Sequence, residues 1–408
     1  MLRRAYWSVP VVVLVVMGGA ACAGDERGHK RAAPRPPAIQ VIPANGTPDA
    51  RPDRPVVVTA ERGTLHQVVV REDPRAHLRP KGTLPLPGRF SEDRRTWRAL
   101  GTLRPHTAYT VTATGTGPGG ERTWHASRFT TLRPRATFAV ADVTPRPGEV
   151  VGVGMPLIVT FDRPIARRAA VERSLEVRMS RPVTGAWNWT TAQQVVFRPR
   201  RYWPTGQRVT LLARTTGVRA APGVYGTSDH TSRFRVGTRR VSTVDVRRHV
   251  MSVEENGVLV NTAPISAGKG GRRAYVTTSG VHLAMGKYDP VIMTSAWMGV
   301  TDRDDPRYYK KTVRHAVQIS GTGEYVHAAP WSVASQGRAN VSHGCVNASP
   351  TFAQWFYART QRGDIVKVTG TDRPLEPFNG WGYWQMPWER WVKGGALNRP
   401  VLPREHDP

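Results

Sequence analysis

The chain has 408 residues, which is too long for one ordinary core and predicts two to four domains, of which we expect three. Hydrophobic residues make up 39%, enough for globular cores, and 39 glycines with 34 prolines favour short strands and turns over long helices. The net charge of +29 attracts polyanions, but the arginines are dispersed and form no basic helix or nucleic-acid-reading motif, so nucleic acid is not an expected partner.

The first 21 residues have the layout of a secretory signal, with two early arginines, an apolar core over 11–17 and small residues before Cys22. Small residues directly before a cysteine resemble a bacterial lipoprotein signal, in which Cys22 is lipidated and becomes the new N-terminus. Gly19 stands where such signals usually have leucine, so cleavage without lipidation, or an uncleaved anchor, stays open. In each case we expect the folded domains on the outer face of the cell membrane.

Residues 22–53 are polar and proline-rich, which predicts a tether between the membrane and the first domain. The next two segments, 54–134 and 136–238, resemble each other at a period near one hundred residues. In the first, apolar and hydroxyl residues alternate after Leu103, and Tyr109 has the spacing of a tyrosine corner. We predict two immunoglobulin-like β-sandwich modules, although other all-β domains show similar alternation.

Residues 239–370 form a third, β-rich domain. Asn256-Gly257 separates two strand-like runs and predicts a hairpin, and Ser349-Pro350 predicts the start of a short helix. The extension 371–408 carries five aromatic residues between Trp381 and Trp391, and we expect it to pack on the third domain. A glycan-stacking role for these rings is the alternative.

Cys345 lies in NVSHGCVN and is one of only two cysteines, so it has no useful disulfide partner if the signal is removed. A thiolate is a strong nucleophile toward carbonyl carbon, and its activation requires a base. His343 and His327 are both candidates, and spacing alone does not choose between them. Gly344 leaves room beside the sulfur, and its N–H, with that of Cys345, can converge on an oxyanion.

His327 followed by Ser342-His343-Gly344-Cys345-Val346-Asn347 is similar to the signature H-x(14–17)-[ST]-H-G-C-h-N of the L,D-transpeptidase (YkuD) family. The flanking stretches APWSVASQGRAN and FYARTQRGDIVKV also resemble that family. Two immunoglobulin-like modules before the catalytic domain and a Trp-rich tail after it are similar to the membrane-anchored members of high-GC Gram-positive bacteria. The resemblance covers nearly the whole exported chain.

The resemblance implies transfer between peptidoglycan stem peptides. Cys345 would attack a donor tetrapeptide, release D-Ala and form a thioester, which the side-chain amine of an acceptor stem would convert to a 3→3 cross-link. The membrane, through the N-terminal anchor, and carbapenem β-lactams as covalent inhibitors are further implied partners. No cofactor is expected, because one peptide bond replaces another and GKGGRR lacks the end of a P-loop.

The resemblance also implies a role for each site residue. The base and acid is His327, oriented by the backbone carbonyl of Ala328, and the N–H of Gly344 stabilises the oxyanion. The remaining implied roles are loop support by His343 and Asn347, a lid tyrosine at Tyr309 with Tyr308 as a near competitor, and substrate contacts by Tyr309, Met293, Trp331 and Ser342.

Three alternatives remain open from the sequence. An L,D-carboxypeptidase would use water in place of the acceptor, and a catalytically silent scaffold would bind anionic wall polymer through the net charge. Two histidines and a cysteine can also bind zinc, although no metal is expected. If His327 and Cys345 form an activated pair, alkylation of the thiol is expected well below its usual pKa of about 8.5.

Overall fold

The structure is a computed structural model that describes residues 39–73 and 84–401. The predicted signal over 1–21, Cys22 and the first part of the tether lie outside the described residues. Within those residues, no helix combines the length and apolar character needed to cross a bilayer. The chain is mainly β, and this confirms the predicted fold class.

The first module is a sandwich of two sheets, with strand orders β1-β2-β5-β4 and β3-β6-β7. Trp97 from one sheet and Tyr109 and Phe129 from the other are buried between them. The Tyr109 hydroxyl accepts the Arg104 N–H at 2.8 Å, which is the contact of a tyrosine corner. The strands are β1 (Ile39–Ile42), β2 (Val57–Ala60), β3 (Thr64–Glu72), β4 (Gly88–Phe90), β5 (Thr96–Ala99), β6 (Ala108–Thr116) and β7 (Arg122–Thr130).

The predicted tether is too long at its C-terminal end. Strand β1 pairs antiparallel with β2, from Ile39 opposite Ala60 to Ile42 opposite Val57. Ile39 and Val41 are buried in the sandwich core because alternate residues of this short strand face the sheet interior. Residues 39–53 therefore belong to the first module, and the proline-rich composition hid a four-residue strand.

The second module has two four-stranded sheets, β10-β18-β15-β12 and β13-β14-β11-β9, and a small sheet, β16-β17-β8. Its core is rich in aromatic rings, among them Trp187, Phe197 and Trp203. The elements are β8 (Ala136–Phe138), β9 (Val140–Thr144), β10 (Val150–Val151), β11 (Leu157–Phe161), α1 (Arg168–Arg173), β12 (Leu175–Met179), β13 (Gly185–Trp189), β14 (Gln194–Pro199), β15 (Arg208–Ala213), β16 (Arg219–Ala221), β17 (Val224–Gly226) and β18 (His230–Val236).

The third domain is built on a nine-stranded sheet of order β22-β29-β19-β20-β21-β28-β27-β26-β23, with β24 and β25 as a separate hairpin. Asn256 and Gly257 form the turn between β20 and β21 with φ of 53° and 87°, as the hairpin prediction requires. The strands are β19 (Arg240–Asp245), β20 (Val250–Glu255), β21 (Val258–Ser266), β22 (Gly280–Leu283), β23 (Gly286–Tyr288), β24 (Val291–Thr294), β25 (Lys310–Val313), β26 (Ala316–Gln318), β27 (Tyr325–Ala328), β28 (Val346–Ala348) and β29 (Ile365–Thr369).

Helices are short in this part of the chain. Helix α2 (Pro350–Arg359) begins at the predicted position, where the Ser349 side chain caps the Phe352 N–H, and it buries Phe352 and Phe356. Helix α3 (Trp388–Lys393) lies in the tail. Single 3-10 turns span Arg273–Tyr275, Ser295–Met298, Pro330–Ser335 and Gly382–Gln385.

The extension packs on two domains: residues 371–385 contact the third domain as expected, and the part around Trp391 packs on the second module, which the sequence did not predict. Trp391 is fully buried beside Ile158, Ala186 and Val196, and its indole N–H donates to the Ala186 carbonyl at 3.0 Å. The buried Arg198 guanidinium lies over the rings of Trp384, Trp388 and Trp391. On the third domain, the Leu375 N–H donates to the Ser279 carbonyl at 2.8 Å, the Asn379 side-chain oxygen accepts the Thr322 N–H at 2.9 Å, and the Gln385 amide donates to the Val281 carbonyl at 3.1 Å.

Candidate active site

Parallel strand pairing brings together the two halves of the motif. Strand β27 carries His327, β28 carries Asn347, and these two residues are direct partners across the sheet. Cys345 immediately precedes β28, so residues that are eighteen apart in sequence lie on neighbouring segments of the sheet, offset by two positions. The intervening chain forms the 3-10 turn of Trp331, which Asn347 holds through a bond from its side-chain amide to the Ser332 hydroxyl at 3.1 Å.

The His327 imidazole has one fixed tautomer. Its Nδ1 lies 2.9 Å from the Ala328 carbonyl oxygen, which can only accept, so Nδ1 carries the proton and Nε2 presents a lone pair. Burial lowers the pKa of His327 to about 4, and Lys311 acts in the same direction. The ring is therefore a neutral acceptor at physiological pH. It lies near the Trp331 indole, with the two ring centroids 6.0 Å apart.

Cys345 is a half-buried free thiol whose Sγ lies 3.7 Å from the Gly323 carbonyl. Burial raises the pKa of Cys345 to about 12, with a smaller contribution from the Glu324 carboxylate, while the Tyr325 N–H favours the thiolate. Both shifts, in His327 and in Cys345, favour neutral groups. The expectation of an activated pair that alkylates below the usual thiol pKa is therefore not supported.

The loop before Cys345 is fixed by its own hydroxyl group. Ser342 Oγ donates to the Cys345 carbonyl at 2.6 Å and accepts the Gly344 N–H at 3.0 Å. Gly344 has φ of 126°, a conformation that favours glycine, and its carbonyl accepts from Thr277 Oγ1 at 2.8 Å.

This arrangement adds a condition to two of the predicted roles. The Gly344 N–H is already bonded inside the loop, so it must exchange Ser342 for substrate before it can serve an oxyanion. Ser342 lines the same cavity as His327 and Cys345, but it is largely buried and its hydroxyl is engaged in shaping the loop.

His343 lies between two tyrosines. Tyr309 stacks on its imidazole with centroids 5.2 Å apart, and Tyr275 meets it edge-on at 4.7 Å. Burial, together with Lys269 and Lys311, lowers the pKa of His343. Tyr309 accepts the Trp297 indole N–H at 2.7 Å, so its own O–H remains able to donate.

Two cavities meet at the thiol, and Cys345, His343, Tyr309 and Met293 line both of them. We call them the Glu324 cavity, of about 460 Å³, and the Trp331 cavity, of about 640 Å³. The Glu324 cavity is further lined by Ala274, Val291, Ile292, Thr294, Trp297, Thr322, Gly323, Glu324, Tyr325, Gly344 and Arg373. His327, Tyr308, Trp331, Asn347 and four cations, Lys269, Arg272, Arg307 and Lys311, line the Trp331 cavity.

The hairpin of β24 and β25 forms the wall between these cavities. It pairs Met293 with Lys311, and the loop between its strands supplies Trp297 and Tyr309. Tyr309 lines both cavities and stacks on His343, whereas Tyr308 lines only the Trp331 cavity of the two. This difference favours Tyr309 as the lid residue. In residues 39–73 and 84–401, no group of three or more His, Cys, Asp or Glu side chains is arranged to hold a metal ion.

Comparison with known proteins agrees with this geometry. A family model described as the L,D-transpeptidase catalytic domain matches residues 239–368, and one described as a bacterial Ig domain matches 47–219. L,D-transpeptidase 2 of Mycobacterium tuberculosis (strain CDC 1551 / Oshkosh) is 36% identical over 97% of this chain and 96% of its own. The chain belongs to the L,D-transpeptidase family. This confirms the resemblance read from the motif.

Other relatives extend the comparison. L,D-transpeptidase 5 of M. tuberculosis (strain ATCC 25618 / H37Rv) is 32% identical over 93% of this chain and 82% of its own. Among solved structures, the L,D-transpeptidase LdtMt1 in complex with imipenem shares 37% identity with this L,D-transpeptidase, covers 58% of it and 100% of its own chain, and superposes with a TM-score of 0.49.

Sequence reasoning missed Glu324 as a residue of this L,D-transpeptidase site. Its carboxylate is buried and accepts both the Thr278 N–H, at 2.7 Å, and the Thr278 hydroxyl, at 2.6 Å. Glu324 lies three residues before His327, and this proximity in sequence could have marked it as a residue of the site. A carboxylate so near a histidine suggests a direct partner, but the structure pairs Glu324 with a threonine of another segment.

Proposed function

We propose that this L,D-transpeptidase forms 3→3 cross-links between peptidoglycan stem peptides through a thioester on Cys345. The observation that carries the proposal is the neutral His327, whose Nδ1 is bonded to Ala328, whose Nε2 presents a lone pair, and which lines the same cavity as the thiol. A base of this kind takes the thiol proton only as the sulfur attacks, and it returns that proton to a leaving amine.

The proposed reaction has two balanced halves. Cys345 Sγ attacks the carbonyl carbon at the third residue of a donor tetrapeptide and passes its proton to His327 Nε2. The tetrahedral intermediate expels D-Ala, whose nitrogen receives that proton, and the thioester remains. An acceptor amine then attacks the thioester, His327 removes its proton, and the proton returns to the departing Cys345 sulfur.

The oxyanion of both intermediates requires hydrogen-bond donors. The Tyr309 hydroxyl is a candidate, because it accepts from Trp297 and can still donate. The Gly344 N–H becomes available if the Ser342 hydroxyl releases it. The Cys345 N–H, next along the same loop, is the third candidate donor. Burial raises the pKa of Tyr309, so its hydroxyl keeps the proton that it donates.

The two cavities suggest where each substrate lies. His327 protonates the leaving amine and later deprotonates the attacking one, so both amines approach from the Trp331 cavity. Arg307 is paired with Asp305, and the other three cations, Lys269, Arg272 and Lys311, attract the carboxylate of D-Ala and favour a neutral, nucleophilic acceptor amine. The donor acyl chain then occupies the Glu324 cavity, where Arg373 can bind one of its carboxylates.

The cellular setting is part of the same proposal. An N-terminal signal with a lipid on Cys22, or an uncleaved signal anchor, would hold the enzyme on the outer face of the cell membrane, within reach of the wall. The two modules then place the catalytic domain at a distance from the anchor.

Incubation of the purified protein with disaccharide-tetrapeptide, followed by mass spectrometry of the products, tests the proposal. The expected products are a 3→3 dimer and free D-Ala. Trimmed tripeptide with no dimer would instead identify an L,D-carboxypeptidase.

A carbapenem distinguishes the enzyme from a silent wall-binding scaffold. Its strained lactam carbonyl should acylate Cys345 and add one drug mass to the protein, because the thiol lies open to both cavities. The matched control is Cys345→Ser. An unmodified wild type whose thiol still reacts with an alkylating agent would favour the scaffold.

A further inference from the structure

A concave cleft of about 480 Å³ separates the two immunoglobulin-like modules and is strongly basic. Six of the thirteen residues that line it are arginines, whereas lysine and arginine together account for only 59 of the 408 residues of the chain. Its one carboxylate, Asp53, is paired with Arg51 at 2.6 Å. The cleft therefore concentrates positive charge well beyond what the composition of the chain would place there.

The cleft has fixed walls, because three contacts hold the modules together beside it. The Thr102 hydroxyl donates to the Thr216 carbonyl, Arg104 Nη1 donates to the Thr227 carbonyl at 3.2 Å, and the Tyr225 hydroxyl lies 3.4 Å from Asp53 Oδ1. A ligand in the cleft would thus meet cations at set positions.

Three of its arginines are available to a ligand. Arg54 belongs to the first module, and Arg167 and Arg173 belong to the second, at the two ends of helix α1. All three are exposed, and within the described residues none has an ion pair or a side-chain hydrogen bond. Like charges held together without counter-ions destabilise a fold, so a stable anionic partner would relieve this arrangement.

The chemistry of the walls favours phosphate over carboxylate. A guanidinium binds phosphate with two parallel N–H groups, and the tetrahedral phosphate can present oxygens to both walls at once. A carboxylate directs both oxygens to one side. The lining residues include no aromatic ring on which a nucleobase could stack.

We propose that this cleft binds the phosphate groups of a phosphodiester-bearing wall polymer and so attaches the enzyme to the wall matrix. The site is independent of the chemistry at Cys345, since its residues belong to the two modules and none lines either catalytic cavity. It would assign to the modules a binding function in addition to that of a spacer.

The experiment uses the full exported chain and fluorescent inorganic polyphosphate, with binding followed by anisotropy across a range of salt concentrations. The cleft variant is R54Q/R167Q/R173Q. The control, R122Q/R208Q/R233Q, removes the same charge at exposed strand positions outside the cleft. Acylation by a carbapenem should be unchanged in both, which shows that the fold and catalytic site are intact.

The cleft variant should bind polyphosphate at least about 30-fold more weakly and should lower the salt slope by about 2, at roughly 0.7 for each lost phosphate contact. The control should change affinity less than about threefold. Equal losses in the two variants would show diffuse attraction by net charge and overturn the site. Stronger competition by single-stranded DNA or polyglutamate of equal charge would overturn the assignment to a phosphodiester wall polymer.

Discussion

Cys345 and His327 rest as a neutral thiol and a neutral imidazole, and burial is the main cause of both states. A neutral thiol is less easily oxidised than a thiolate, and the proposed reaction requires proton transfer as the sulfur attacks. The hydrogen bond from His327 to Ala328 keeps the accepting nitrogen oriented without a carboxylate partner.

The neutral pair predicts the pH profile of alkylation by iodoacetamide. Because the pKa of Cys345 is raised to about 12, the thiolate fraction should rise about tenfold for each pH unit between 6 and 9, with no plateau. His327→Gln should leave that slope unchanged and abolish acylation by donor peptide. A plateau that begins below pH 8.5 in the wild type would show an ion pair instead.

Gly344 supports a second residue-level prediction. Alanine at φ of 126° has space, since the nearest atom would lie 3.8 Å away, but it strains a backbone that must present its N–H correctly. Gly344→Ala should slow carbapenem acylation by about a hundredfold or more, as expected for loss of an oxyanion donor. Gly257→Ala carries similar strain at a distant turn and should acylate normally. Equal rates in both variants would remove Gly344 from the site.

At the scale of elements, local patterns predicted the structure well and long-range packing less well. The hairpin at Asn256-Gly257 and the cap at Ser349 depend on short-range chemistry, which the sequence displays directly. The strand Ile39–Ile42 is too short, and too close to prolines, to produce a periodic signal. The destination of the tail depends on which surface offers an apolar groove and an arginine, and no local pattern encodes this.

The tail provides a prediction about stability. Trp391 is fully buried against the second module, so Trp391→Ala should destabilise that module by about 3–5 kcal/mol through loss of contacts and an empty cavity. Trp124→Ala removes a tryptophan that is 66% exposed and should change stability by less than about 0.5 kcal/mol. Urea unfolding of both variants measures the difference. A small loss for Trp391 would mean that the tail is not part of the second module.

At the scale of the whole molecule, the sequence motif indicates which residues belong to the site, and the fold shows which contacts they make. The motif indicated the nucleophile, and the resemblance indicated the base, but neither could show that the Ser342 hydroxyl occupies the Gly344 N–H or that Glu324 binds Thr278. The Glu324 contact joins distant segments of the chain, and the Ser342 contact depends on a loop conformation that is set only when the sheet is complete. The same is true of the two cavities, whose shared wall depends on the β24–β25 hairpin.

Intact-mass spectrometry of the full chain, quenched at short times after mixing with donor tetrapeptide, tests the central claim most directly. The wild type should gain the mass of the donor minus D-Ala, and peptide mapping should place that adduct on Cys345. Addition of an acceptor stem should discharge it into a 3→3 dimer, and Cys345→Ser should form neither species. Dimer formation by the Cys345→Ser variant, or an adduct on another residue, would contradict the account.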